Sequence, residues 1–386
     1  MPGLFSGKRI LFVSKHSGFI SGLEHYLYLT ARLLRAHGAE IWFCYEKRIN
    51  QAATFEQAFD HVTQGPELPD EHFDLAAIHS VATLDYLRSF LSKYGERSAL
   101  FFHNSEYLCP RQNKLLPITQ HTCHRRYHPI ICGLCGMSRH PSYWNSHFAD
   151  EFRRNFVQFK DRFEYIRRRF PRIVVLSSFM RNTMLANGFS PNALHVIQPA
   201  LPAPPEIPAR LPTEAPRILY LGRMEREKGV DILIQVLAGL KHDFRATIAG
   251  DGSMRKSIEK RAERLDLQSR IEFCPYPSSP ESLIAESDIL LMPSLWKSSV
   301  SMPVAESAVW GVPSVAFQTR ELPDMILDGR TGYCVPVGDI QGMTRRVDEL
   351  LGDSELRAKM GANARAHILE VCPESRMLRG FQRLLD

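Results

Sequence analysis

From residue 217 the chain reads RILYLGRMEREKGVDILIQVLAGL, then RATIAGDG, then SDILLMPSLWKSSVSMPVAESAVWGVPSVAF, and later ILDGRTGYCVPV. Short runs of Ile, Leu, Val and Ala alternate with segments of helical period, as expected when buried parallel strands alternate with covering helices. The pattern is α/β. In an open α/β sheet ligands bind outside the carboxyl ends of the strands, where helix N-termini also point. The residues at those ends therefore carry the first functional reading.

After the strand 217–221 come Gly222 and Arg223, a short charged loop, and Lys228-Gly229 opening a helix. Arg223 and Lys228 put two cations where a diphosphate would sit, although Glu225, Arg226 and Glu227 also allow an ordinary solvated loop. The strand 246–249 runs into Gly250-Asp251-Gly252, whose glycines would let backbone approach a ligand. The third strand, 289–292, leads to a helix that carries Glu306, a residue also favoured there simply by the helix dipole.

A chain of 386 residues, 44% hydrophobic and 23% charged, has enough apolar material for two ordinary cores. The expected division is 1–200, with a cysteine-rich insert at about 105–140, a proline-dense connector at 201–216, 217–370, and a last helix from 371 to 386. The formal net charge of +6 suits phosphate-bearing or anionic partners without selecting one. The first residues hold too few apolar side chains for a secretory leader, and no later run approaches a membrane span. Cys44, Cys274, Cys334 and Cys372 stand alone in apolar or loop settings, which fits a reducing cytoplasm.

In the first half, a strand at 9–14, a loop at 15–22 with Gly18 and Gly22, a helix at 23–37 and a strand at 40–45 make one half of a doubly wound sheet. Further strands are expected at 75–79, 99–103, 172–177 and 194–197, with a helix at 178–188. The 99–103 strand ends in His103-Asn104. A histidine there can orient a ligand or share a proton with a hydroxyl, or merely hydrogen-bond at a strand end.

Cys109, Cys123, Cys132 and Cys135 fall within a short segment with His121, His124 and His128 interleaved. A C-x2-C pair can chelate one ion and two further thiolates complete a tetrahedron, so a structural zinc is expected, with an iron–sulfur cluster as the variant. Unliganded thiols, or two disulfides in an exported protein, are the alternatives. Next, Phe148, Phe152, Phe156, Phe159, Phe163, Ile166 and Phe170 recur at spacings of three and four with arginines between them. That predicts one amphipathic helix packed on its own domain, with a peripheral contact to an anionic membrane as the competing use.

The spacing GR(x)4KGVD, the strand followed by GDG, Phe273-Cys274-Pro275, DILLMPS, and AESAVWGVPSVA followed by TGYCVPVGD resemble the C-terminal half of retaining glycosyltransferases of the GT-B fold, family 4. A subset of that family also resembles this chain in carrying H-D…CPR…C…C-x2-C. The resemblance implies two Rossmann-like domains facing across a cleft, a last helix at 371–386 that crosses back to the first domain, a nucleotide-diphosphate sugar as donor, and no catalytic divalent ion. It further implies that Arg223 and Lys228 hold the diphosphate, that Gly22 and Glu24 form a donor-facing loop with Gly222, Gly250 and Gly252 opposite, and that His103 lies beside the sugar. Glu306 matches the second glutamate of the E-x7-E motif, which binds the ribose. The first glutamate is replaced by Ser298, while Ser299, Val300, Ser301 and Met302 should bring backbone amides to the diphosphate. The implied acceptor is a glycan or a lipid-linked glycan of the cell surface. Ser298 keeps open a nucleotide-sugar-binding or scaffold protein without turnover; a zinc-containing nucleic-acid-binding protein is the remaining alternative, and no nucleic-acid partner is expected.

Overall fold

The computed structural model describes residues 3–19, 22–80, 83–111, 114, 116, 123, 125–137, 153–204, 207, 215–295, 300–319 and 322–386. His121, His124, Phe148, Phe152, Ser298 and Ser299 thus lie outside the described residues, as does most of the connector expected at 201–216.

Two parallel sheets organise the chain. The first holds β1 (Arg9–Ser17), β2 (Glu40–Arg48), β3 (His61–Gln64), β4 (Leu75–Ile78), β5 (Ser98–Phe102), β6 (Arg172–Val175) and β7 (Leu194–Val196). Its spatial order is β3-β2-β1-β4-β5-β6-β7. The second holds β8 (Arg217–Leu221), β9 (Arg245–Ala249), β10 (Ile271–Cys274), β11 (Ile289–Met292), β12 (Ser314–Phe317) and β13 (Gly332–Val335), in the order β10-β9-β8-β11-β12-β13. The strand order reverses between β1 and β4 in one sheet and between β8 and β11 in the other. Those reversals open crevices at the carboxyl ends of the strands. This is the two-domain Rossmann-like GT-B architecture.

Alternation along β1 shows why the first sheet is covered on both faces. Ile10 and Phe12 belong to the core shared with the helix Gly22–Ala36, whereas Leu11 and Val13 join Leu87, Phe90, Phe163 and Ile166 on the other side. A strand buried on both faces has no polar register to mark it, so it reads as a continuous apolar run. β3 is different. It pairs with β2 at the sheet edge, through Trp42 opposite His61, and its residues are largely exposed, so no hydrophobic pattern announces it.

The aromatic stripe divides into a π-helical turn, Arg153–Gln158, and an α-helix, Phe159–Arg169. Phe159, Phe163 and Ile166 are buried in the first half's core, as their spacing on one helical face requires.

The last helix, Glu374–Leu385, buries Met377, Leu378, Phe381 and Leu384, and it lies on the first half. The Phe381 ring centroid is 5.9 Å from that of Phe101 and 6.5 Å from that of Phe12. A side chain at Gly380 would come within 2.9 Å of Ile197. Burying one such phenylalanine is worth about 1.5–3 kcal/mol.

Candidate functional site

The carboxyl ends of the two sheets face each other across a cleft of about 320 Å³. From the first half it is lined by Gly22, Leu23 and Tyr26 at the start of the helix after β1, by His103 and Asn104 just past β5, and by Leu176 just past β6. From the second half come Gly222 and Arg223 after β8, Lys228, Tyr276 after β10, Ser294 after β11, and Val300, Ser301, Met302 and Pro303 at the start of the helix Met302–Val309. Thr319 and Leu322 close the floor beyond β12.

Local geometry explains why the cations stand here. The Tyr220 hydroxyl donates to the Arg223 carbonyl at 2.8 Å, and the Arg223 guanidinium lies 3.3 Å from the Glu227 carboxylate. Lys228 ends a 3-10 turn, Arg226–Lys228, and Gly229 then takes φ 69° to start the helix Val230–Ala238. A Cβ at Gly229 would collide with the Pro293 carbonyl, so glycine serves both the left-handed backbone and the close approach of two loops. Two helix N-termini meet across the gap as well. A Cβ at Gly22 would lie 3.2 Å from the side chain of Met302, so the starts of the helices Gly22–Ala36 and Met302–Val309 almost touch. The helix dipole favours anions at both.

Of the residues expected at the site, Gly22, His103, Gly222, Arg223, Lys228, Val300, Ser301 and Met302 all line the cleft. Others are placed elsewhere. Gly250 and Gly252 pack on neighbouring backbone: a Cβ at Gly250 would strike the Gly222 carbonyl, and one at Gly252 would lie 2.5 Å from the Met224 carbonyl. Their lack of a side chain lets two strand-end loops nest. Glu24 is buried, its carboxylate 3.9 Å from His16 Nδ1, and is not among the described lining residues.

Glu306 is also off the cleft wall. It lines a separate small cavity with His25, Pro280 and Glu281. Its Oε1 stands 3.5 Å from His25 Nε2 across the two halves, and neither side chain makes a hydrogen bond. Burial pushes the Glu306 carboxyl above the ordinary carboxylate range, and the charge of His25 pulls it partly back.

Cys109, Cys123, Cys132 and Cys135 form no disulfide. Cys109, Cys123, Cys132 and Cys135 are close enough to affect one another electrostatically. Among the described residues, however, no three His, Cys, Asp or Glu side chains converge as a metal ion requires. Cys132 Sγ instead accepts from the backbone N–H of His128 at 3.3 Å. The structure gives the expected zinc or iron–sulfur knot no support. Among the described residues no helix is long and apolar enough to cross a membrane.

Sequence reasoning missed Tyr26, Tyr276, Thr319 and, behind the wall, His79. His79 Nδ1 is 3.0 Å from His103 Nε2. Burial drives His103 down to about 3 and, with the charge of His103 added, drives His79 well below the usual range, so both rings are neutral. The same strand-end rule that found His103 would have found His79, which follows β4 directly.

Residues 206–367 match the family model described as Glycosyl transferases group 1. The match covers most of the second half and is a likeness to that family. Within comparable segments the chain is 32% identical over 156 residues to alpha-D-kanosaminyltransferase of Streptomyces kanamyceticus, covering 39% of this chain and 40% of the relative. It is 27% identical over 169 residues to N-acetyl-alpha-D-glucosaminyl L-malate synthase of Bacillus anthracis, covering 43% of this chain and 44% of that one. The alignments thus span about two-fifths of those relatives' length. The structural likeness is wider. Anabaena Alr3699/HepE, solved in complex with UDP-glucose, superposes with a TM-score of 0.69 over 97% of this chain and 99% of its own, at 17% identity. That agreement establishes the fold.

Proposed function

We propose that this chain transfers a sugar from a nucleotide-diphosphate donor to an acceptor hydroxyl with retention of anomeric configuration, as a family 4-like enzyme. The observation that carries the reading is the meeting of Arg223, Lys228 and two helix N-termini on one cleft. Such a cleft suits a ligand with concentrated negative charge at its centre. The HepE complex, with UDP-glucose bound, supports the same choice of donor.

In this reading Arg223 and Lys228 stabilise the charge that develops on the departing diphosphate, a task that protein cations and helix ends can perform without a divalent ion. Gly22 keeps the first half close enough for its helix N-terminus to share that work. His103 faces the reacting sugar. Retention without an enzymic nucleophile suits attack from the face of the leaving group, whose phosphate oxygen takes the acceptor proton. The acceptor is a glycan or lipid-linked glycan of cell-surface polysaccharide synthesis, and the enzyme works in the cytoplasm.

The test is release of nucleoside diphosphate from a panel of nucleotide sugars in the presence of candidate acceptors. Lys228→Ala should lower kcat about 10²- to 10³-fold. Equal turnover in Lys228→Ala would remove the reading. Ser298, in place of a glutamate, favours a second one, a nucleotide-sugar binder without turnover. Donor binding by calorimetry with no transfer to any acceptor would select it.

A further inference from the structure

β4 and β5 are paired neighbours, with Ile78 opposite Leu100, and each is followed directly by a histidine. His79 is 3% exposed. Its backbone N–H donates to the Val13 carbonyl at 2.8 Å, and its ring is stacked on Phe101 at 4.3 Å and meets Phe12 edge-on at 4.9 Å. Aromatic walls of this kind fix the plane of the ring. His103 is held edge-on to Tyr26 at 5.0 Å and lines the cleft. Its Nε2 is taken up by His79 Nδ1, which leaves Nδ1 as the ring nitrogen for a cleft ligand.

Two neutral imidazoles carry one N–H each, and the hydrogen bond between them uses one proton. If His103 Nε2 donates, His79 must carry its own proton on Nε2. That nitrogen is buried and has no hydrogen-bond partner. If His79 Nδ1 donates instead, Nε2 is left only with an unused lone pair. A buried N–H without an acceptor is the rarer and costlier defect. The second arrangement puts the His103 proton on Nδ1.

We propose that His79 is a positioning residue that fixes His103 in its Nδ1–H form, so that His103 meets a sugar oxygen as a neutral hydrogen-bond donor and neither as a base nor as a cation. The role at the sugar rests on the proposed transfer reaction; the tautomer does not.

The decisive experiment is a long-range ¹H–¹⁵N correlation spectrum of the full chain labelled with [¹⁵N]histidine at pH 7.5, unliganded, with resonances assigned by the losses in His79→Asn and His103→Asn. A pyrrole-like Nδ1 and a pyridine-like Nε2 at His103 are expected. The reverse pattern, or a doubly protonated ring, overturns the proposal whatever the protein's activity. Turnover adds a second readout. His79→Leu should lower kcat about tenfold with the donor KM little changed, as expected for one lost hydrogen bond. His79→Asn keeps an N–H near the place of Nδ1 and should restore most of that loss. Equal kcat in wild type and His79→Leu also overturns the proposal. Absence of any nucleotide-sugar binding by calorimetry would refute the transferase reading instead, and leave the tautomer to the spectrum.

Discussion

The two histidines behind the cleft show how burial sets chemistry at a single residue. Each is neutral in the folded chain because a charged ring there would lose its water, while in the unfolded chain both titrate near pH 6.5. The unfolded state therefore binds more protons below that pH, and stability must fall as pH falls. Each ring contributes a loss of about 1.4 kcal/mol per pH unit once the pH is below the ordinary histidine range. Urea unfolding at pH 7, 6 and 5 should show a steep loss in wild type and a shallower one in the double variant His79→Asn, His103→Asn. Identical slopes would mean the rings are charged in the folded state. Legibility at this scale was uneven. His103 was visible because it ends a recognisable strand beside Asn104. His79 ends an equally recognisable strand, yet its value lies in a 3.0 Å contact to another strand, and spacing along one strand does not report that. Gly250 and Gly252 follow the same rule: the sequence marks a place where something comes close, and the neighbour that the structure shows there is backbone.

Among elements, the most informative is the last helix. Met377, Leu378, Phe381 and Leu384 repeat at helical spacing, so its existence was plain from the pattern. What that face covers was not, because an amphipathic stripe carries no address. Phe381 fills the space between Phe12 and Phe101. Phe381→Ala should cost about 3–5 kcal/mol and lower the urea midpoint accordingly. A change below about 1 kcal/mol would mean the helix is not seated on the first sheet. Strands tell the converse story. β8 and β11 were read to the residue because a buried parallel strand is a bounded apolar run, whereas β3 was missed because an exposed edge strand needs no apolar side chain to form its hydrogen bonds.

For the whole molecule, the contact that joins the halves is as telling as the cleft between them. Glu306 and His25 are both buried, come from different halves and stand 3.5 Å apart. A carboxyl held above its ordinary range by burial contributes stability at low pH that is lost as the pH rises through its folded value. Glu306→Gln, which cannot ionise, should therefore lose less Tm than wild type between pH 5 and pH 8. A difference in Tm that does not vary with pH would show that the carboxyl is not held above its ordinary range.

The backbone leaves the first half after Ile197 and re-enters it at the helix Glu374–Leu385, and the two passages run side by side: Arg376 reaches the Gln198 side chain at 2.9 Å, and the Ala200 N–H meets Met377 Sδ at 3.1 Å. Two straps laid together act as the spine of a book. Severing one strap leaves the other stitched to it. A protease site engineered into the 208–214 stretch should thus yield a nicked protein whose pieces co-elute in native buffer and part only in denaturant.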